Sequence, residues 1–145
     1  VDSIRDIINA ERDNKNKITL EYIDKAKGRI ESDKIVLAVE TQPKQFQATL
    51  LAIVELFKKE LNKKKEAKLF TGDIYNFYRQ LCHKIGIESL TQRRVSDIIA
   101  EFDMLGIINA KVISKGRYGR TREIRLDLPT HLLEKINFLL KNRFN

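Results

Sequence analysis

Apolar residues recur at helical spacing between residues 90 and 105, and this stretch is the most informative part of the chain. Spacings of three and four residues predict a short amphipathic helix with one apolar stripe. Thr91 is the predicted N-cap, because its hydroxyl can accept a hydrogen bond from a first-turn amide, and Leu90 and Val95 occupy staple positions. Gly106 is the predicted stop, since a left-handed residue is often required there. The stripe consists of Val95, Ile98, Ile99, Phe102 and Leu105.

Alternation of apolar and polar residues follows this helix and predicts a β-hairpin. The alternating apolar positions are Ile108, Ala110 and Val112 in the first strand, and Ile124, Leu126 and Leu128 in the second. Residues 115–121 between them, KGRYGRT, are polar and contain two glycines. This composition predicts a turn at the tip of the hairpin.

The rest of the chain has the periodicity of helices. Residues 1–41 predict a short helix and a second helix capped by Thr19, and the break at Gln42-Pro43 places a domain boundary there. Residues 42–145 then predict helix, helix, helix, strand, strand, helix. That order describes a mainly α fold, a winged helix-turn-helix with a three-helix core, a β-hairpin wing and a C-terminal helix, a module that mostly binds duplex DNA.

Three residues set the limits of the predicted helices in this second part. Thr71 is the predicted N-cap of the second of them, and Gly86 is its predicted end. Pro129 opens the last helix.

The charge is distributed unevenly along the chain. The net charge is +8, yet residues 1–40 hold 8 basic and 9 acidic side chains, whereas residues 41–145 hold 20 basic and 11 acidic. The second part is therefore suited to a polyanionic partner. No run of apolar residues is long enough for a membrane span, and we expect a cytoplasmic, nucleoid-associated protein.

Motifs for catalysis or metal binding are lacking in the sequence. No Gly-x-x-x-x-Gly-Lys-Ser/Thr loop and no nucleophile–base set occurs, so we predict no enzyme activity, no cofactor and no metal for this chain. Cys82 falls on an apolar helix face and is predicted to be an inert core thiol. His83 and His131 lack ligand partners at useful spacing and are predicted at the surface or at helix caps.

Two arginines at the start of the predicted helix 92–105 indicate DNA contact. Arg93 and Arg94 lie in its first turn, where the macrodipole disfavours cations by about 0.3–1 kcal/mol each. The alternative interpretation is a surface ion pair between Arg93 and Asp97. The residues predicted to read or clamp the major groove are Gln92, Arg93, Arg94 and Ser96.

The hairpin tip is the second candidate site. From Lys111 to Arg125 six basic residues accompany one acidic residue, Glu123. Arginine at the tip suits a narrow minor groove, and the alternative is a solvated hairpin end. The residues predicted to hold the wing on DNA are Lys115, Arg117, Tyr118, Gly119, Arg120, Thr121 and Arg122.

The runs LTQRRVSDIIAEFDMLGIINAKV and SKGRYGRTREIRL resemble the C-terminal winged-helix domain of the archaeal replication initiators. These AAA+ proteins are related to the eukaryotic origin recognition complex subunit 1 and to the cell-division-cycle loading factor. Residues 1–41, with ITLEYIDKAKGRIE, resemble the last two helices of the lid that follows the AAA+ ATPase core.

The resemblance implies the C-terminal part of an ATP-dependent initiator that lacks the ATPase module. It implies binding to double-stranded origin DNA, ATP and magnesium binding by the full-length protein alone, and recruitment of the replicative helicase by that whole protein. We expect this chain to be monomeric. The alternatives are a transcription regulator that dimerises through residues 129–143, and a winged helix that contacts the helicase rather than DNA.

Overall fold

The computed structural model describes residue 23 and residues 31–63, 68–114 and 120–145 of the chain. The chain divides into two compact units, residues 1–37 and 38–145. Before Lys44, residue 23 and residues 31–40 are helical. The first predicted helix and the Thr19 cap lie outside the described residues, and the domain boundary after residue 41 stays a prediction. In the described ranges, no helix has the length and apolarity that a membrane crossing requires.

The second unit has the predicted mainly α architecture, with a small antiparallel sheet. Its elements are α1 (Lys44–Lys63), β1 (Leu69–Phe70), α2 (Thr71–Ile85), α3 (Gln92–Met104), β2 (Asn109–Ser114), β3 (Arg120–Arg125) and α4 (Thr130–Arg143). The strand order is β1-β3-β2. The order of helices and wing strands confirms the predicted winged helix-turn-helix.

The core lies where α1 packs on the other helices. Phe46 of α1 meets Phe102 of α3 edge to face, with ring centroids 5.9 Å apart, a geometry that aromatic pairs favour. The predicted α3 stripe is buried at Val95, Ile98, Ile99 and Phe102. Cys82 is also buried, as predicted for a core thiol, and burial raises the pKa of its thiol.

Both predicted glycine stops occur, and each ends its helix in a left-handed conformation. Gly86 has φ 78° and Gly106 has φ 75°. After α3, the Gly106 amide donates to the Asp103 carbonyl at 3.1 Å and the Ile107 amide donates to the Phe102 carbonyl at 3.0 Å, the two bonds of a Schellman motif.

The prediction that Leu105 belongs to the buried stripe was wrong. Leu105 is 49% exposed, whereas Ile107 is 1% exposed. The helix ends at Met104, and the turn at Gly106 changes the direction of the chain. Ile107 therefore enters the core instead of Leu105.

A two-residue strand that the sequence did not predict changes the start of α2. β1 pairs with β3, with Leu69 opposite Ile124 and Phe70 opposite Glu123. This pairing holds Phe70 extended, so Phe70 is the N-cap and Thr71 is the first helical residue. The prediction of Thr71 as a capping side chain was therefore wrong, and no side chain caps this helix.

The hairpin strands differ from the prediction at both ends. Ser114 pairs with Arg120 and Ile113 pairs with Thr121, so Arg120 and Thr121 belong to β3 rather than to the predicted turn. At the other end β3 stops at Arg125, because its partner β2 begins opposite it at Asn109. Leu126 and Leu128 therefore follow the strand instead of belonging to it, although Leu126 is buried.

Candidate nucleic-acid interface

The start of α3 presents two cations to solvent. The Thr91 hydroxyl accepts a hydrogen bond from the Arg94 amide at 3.3 Å, which confirms the predicted N-cap. Arg93 and Arg94 are exposed, and the first turn of α3 contains no acidic residue. Arg93 and Asp97, both in the described part of the chain, form no ion pair. The surface ion pair that was the alternative interpretation is thus absent, and the Arg93 guanidinium is available to a partner.

Acidic side chains follow the arginines along the same helix. Asp97, Glu101 and Asp103 are all exposed. Their charges repel a polyanion, so the first turn of α3, which contains no acidic residue, is the part of the helix best suited to approach the phosphates of a duplex. This polarity matches the way recognition helices present their first residues to base edges.

The wing is docked on α3 by two hydrogen bonds. Arg122 Nη1 donates to the Ser96 carbonyl oxygen at 2.8 Å. The Ala110 amide donates to Asp103 Oδ1 at 3.0 Å. One bond lies in each half of α3, so the hairpin and the helix are held in a fixed relation, and a partner that meets α3 also meets the wing.

The pleat of the hairpin explains why Arg122 points to α3. Side chains two residues apart on a strand share a face, so Arg122 lies on the face of Ile124, which is fully buried. Val112 pairs with Arg122 and therefore shares that face. Val112 is nevertheless 54% exposed, which corrects the prediction of an inward residue.

A cleft of about 400 Å³ lies between the start of α3 and the wing. We call it the α3–wing cleft. Its lining residues are Thr71, Gln92, Ser96, Val112, Thr121 and Arg122. Four of these were predicted to contact DNA, and the fold brings them together from α3 and β3.

The turn before α3 is held by side chains from α1 and α2. Tyr78 Oη donates to Gln45 Oε1 at 2.5 Å and accepts from the Leu90 amide at 3.0 Å. Tyr75 Oη donates to the Leu90 carbonyl at 3.0 Å, and Gln45 Nε2 donates to the Glu88 carbonyl at 2.8 Å. These bonds fix the backbone immediately before Thr91, and so they fix the direction of α3.

Tyr78 is the centre of this network. Its side chain is fully buried. Burial raises the pKa of Tyr78 to about 12, against an opposing effect of the Leu90 amide bond. The hydroxyl is thus neutral throughout the physiological pH range and keeps the proton that it donates to Gln45 Oε1.

The remaining predicted wing residues are only partly described. Lys115, Arg117, Tyr118 and Gly119 lie outside the described residues, and Arg120 is described by its backbone alone. Their contacts with DNA stay predictions.

Sequence reasoning missed two residues of the α3–wing cleft, Thr71 and Val112. The usable signal for Thr71 was the pair Leu69-Phe70 before it, an apolar dipeptide that forms a strand once β3 is beside it. Val112 could not be identified from the sequence, because its exposure depends on how the hairpin packs against the helices.

The two histidines occupy the predicted positions. His83 and His131 are exposed. No group of three or more potential metal ligands occurs among the described residues.

The fold and the docked wing define a winged-helix domain. Residues 37–136 match the family model described as the CDC6 C-terminal winged helix domain, and the chain belongs to this family of replication initiator domains. It is 47% identical to the ORC1-type DNA replication protein 1 of Methanosarcina mazei over 128 residues, 88% of this chain and 30% of that protein. It is 46% identical to the ORC1-type DNA replication protein of Pyrococcus furiosus over 127 residues, 88% of this chain and 29% of that protein. The chain thus spans about a third of the length of these relatives.

Solved structures give the same classification. The Aeropyrum pernix ORC1 protein, solved in complex with DNA, superposes with a TM-score of 0.73 at 36% identity, covering 86% of this chain and 32% of that one. Cdc6p from Pyrobaculum aerophilum superposes with a TM-score of 0.56 at 17% identity, covering 76% of this chain and 27% of that one, which shows a shared fold.

Proposed function

We propose that this chain binds double-stranded DNA selectively at replication origins, as the C-terminal part of an ORC1-type initiator. The N-terminal half of α3 enters the major groove, and the wing lies over the adjacent minor groove. The observation that carries the proposal is the docking of Arg122 on α3 beside the exposed Arg93 and Arg94. Helix and wing together then present one cationic surface to a duplex. The DNA in the Aeropyrum pernix structure supports the same function.

The side chains at the start of α3 suit base recognition. An arginine can donate two hydrogen bonds to guanine, and a glutamine can pair with adenine. Gln92, Arg93 and Arg94 supply both types within three consecutive residues. Arg93 and Arg94 also oppose the helix dipole, so their positions are better explained by a bound polyanion than by folding stability.

Selection from a pool of random duplexes tests this proposal and assumes nothing about the DNA sequence that the chain binds. The expected result is one enriched sequence, bound with an affinity that falls steeply with salt, by about 0.9 log units per log unit of salt for each phosphate contacted. Enrichment of no sequence, with duplex binding absent at moderate salt, would contradict it.

The nucleotide chemistry of the full-length initiator is proposed to lie outside this chain. ATP and magnesium are assigned to the AAA+ part of the whole protein, whose phosphate-binding loop has no counterpart in this sequence. Calorimetry of this chain with ATP should therefore show no heat of binding. A stoichiometric, micromolar ATP site would contradict the assignment.

Contact with another protein is a second candidate function, and an observation on α4 favours it. Phe138 is 65% exposed on this helix, and its ring offers an apolar and aromatic contact of the kind enriched at protein interfaces. Protein contact through α4 would fit helicase recruitment by the whole initiator. Pull-down of the purified replicative helicase by the wild-type chain and by Phe138→Ala would test it, with loss in the variant expected.

A further inference from the structure

The start of α2 is an uncapped helix end at the edge of the α3–wing cleft. First-turn amides of a helix have no intrahelical acceptor, and the N-cap Phe70 provides no side-chain bond. The space beside Gly72 is open, because a Cβ atom placed on this glycine would contact no neighbouring side chain within 4 Å. The first-turn amides carry the positive end of the helix dipole, and the open space at Gly72 leaves room beside this helix end.

Thr71 supplies a second, independent observation. Its side chain is 7% exposed and belongs to the lining of the cleft. Its hydroxyl forms no hydrogen bond with any residue that the structure describes. No fully inaccessible side-chain oxygen or nitrogen in the described residues lacks a hydrogen-bond partner, so this hydroxyl retains some access to solvent, and Thr71 lines the cleft. A nearly buried donor facing an open cleft indicates a ligand.

The sheet register places a cation beside this hydroxyl. Phe70 pairs with Glu123 in antiparallel register, so the next residue, Thr71, comes opposite Arg122. The Arg122 guanidinium uses one N–H bond on the Ser96 carbonyl, and a guanidinium carries five N–H donors. The bond to Ser96 thus fixes the orientation of the Arg122 guanidinium, and its other N–H groups remain available to a ligand in the cleft.

Nearby acidic groups do not neutralise this site. Glu123 alternates to the other face of β3 and pairs with Arg125 at 3.2 Å. Asp73 lies in the first turn of α2, but it is exposed and does not line the cleft. Arg122 is the charged residue among the lining residues, so the cleft favours an anion.

We propose that the α3–wing cleft seats one phosphate of the DNA backbone, held by the Thr71 hydroxyl, the first-turn amides of α2 and the Arg122 guanidinium. The inference rests on the proposed duplex binding and names the contact that fixes its register. A phosphate held between α2 and the wing positions the duplex so that Gln92, at the same cleft, meets the adjacent base edges.

The test uses Thr71→Val, which keeps the shape of the side chain and removes the hydroxyl. The matched control is Thr130→Val. Thr130 is likewise the first residue of a helix with no side-chain cap, but it lies outside the cleft lining. Affinity for the selected duplex is measured by fluorescence anisotropy, then repeated with duplexes in which single phosphates are replaced by neutral methylphosphonates.

We expect Thr71→Val to weaken binding about ten- to a hundred-fold, the loss of one hydrogen bond to an anion, and Thr130→Val to leave it unchanged. In the wild type and in Thr130→Val, one methylphosphonate position should weaken binding, and in Thr71→Val that same position should matter less. Thr71→Ser should retain the wild-type pattern, and Thr71→Ala should repeat the loss if the valine variant fails to fold.

The possible results distinguish a failure of the proposed phosphate site from a failure of the proposed duplex binding. If Thr71→Val binds with the affinity of Thr130→Val, and the same methylphosphonate positions weaken both, the proposed phosphate site is wrong and the proposed duplex binding is unaffected. If Thr71→Val binds more weakly but is affected by the same methylphosphonate positions to the same extent as the wild type, the phosphate site is also wrong, since the hydroxyl then acts by stabilising the fold. Absence of duplex binding by the wild type overturns both.

Discussion

Replacing Tyr78 by Phe removes one oxygen atom from the network that fixes the turn before α3. The ring is fully buried and stays in place, so the apolar area that it buries is unchanged. Two hydrogen bonds disappear, the one to Gln45 Oε1 at 2.5 Å and the one from the Leu90 amide at 3.0 Å. The substitution therefore measures the contribution of the polar network alone.

The expected cost follows from these two bonds. A typical protein hydrogen bond contributes about 0.5–1.5 kcal/mol net, so the pair is worth about 1–3 kcal/mol. Gln45 keeps its bond to the Glu88 carbonyl, which limits the loss on that side. The Leu90 amide loses its acceptor, and this unsatisfied donor is the larger part of the cost.

Urea unfolding followed by circular dichroism measures the change in the free energy of unfolding. The midpoint should fall with an unchanged slope, because the exposed area on unfolding is the same. Tyr75→Phe is the matched control. Tyr75 makes one bond, to the Leu90 carbonyl, and its side chain is half-buried, so its loss should cost about 1 kcal/mol or less. An unchanged midpoint in Tyr78→Phe, or an equal cost in both variants, would refute the reasoning.

Three further predictions concern stability. Burial raises the pKa of Tyr78 from 10.0 to about 12, so the unfolded chain ionises first and the free energy of unfolding should fall as pH rises from 10 to 12. Urea titrations across that range should show a larger loss in the wild type than in Tyr78→Phe, which keeps only the buried Cys82 thiol with its raised pKa, and equal losses would contradict the prediction. Gly106→Ala, at φ 75°, should cost about 1–3 kcal/mol by the same assay, and a neutral result would contradict the left-handed requirement. Asp103→Ala should cost about 0.5–1.5 kcal/mol by removing the acceptor of the Ala110 amide, whereas a cost of zero would mean that this bond does not hold the wing.

The features that the sequence predicted correctly are those decided by neighbouring residues. Thr91 caps the helix that it precedes, and Gly86 and Gly106 end helices through their own backbone conformation. The buried positions of α3 follow from a periodicity that one helix imposes on its own residues. Arg93 and Arg94 stay predicted contacts, and they could be selected from the sequence because a cation in the first turn of a helix opposes the helix dipole.

The features that the sequence could not predict depend on chain segments far apart. β1 exists because β3 lies beside it, and this pairing moves the start of α2 and frees the Thr71 hydroxyl. The bond between Arg122 and the Ser96 carbonyl joins residues 26 positions apart. The sequence suggested Arg122 as a wing contact, but only the docking of hairpin on helix shows that it also fixes the wing.

The most direct test of the central claim compares two double variants that each remove two positive charges. Arg93→Ala with Arg94→Ala changes the start of α3, whereas Lys84→Ala with Lys135→Ala removes exposed lysines of α2 and α4. Affinity for the selected duplex and for a scrambled duplex is measured by anisotropy at one salt concentration. The arginine pair should lose about 1–3 kcal/mol per base contact on the selected duplex, and much less on the scrambled one. The lysine pair should lose little on either. Equal losses for both double variants, or equal losses on both duplexes, would contradict base recognition by the start of α3.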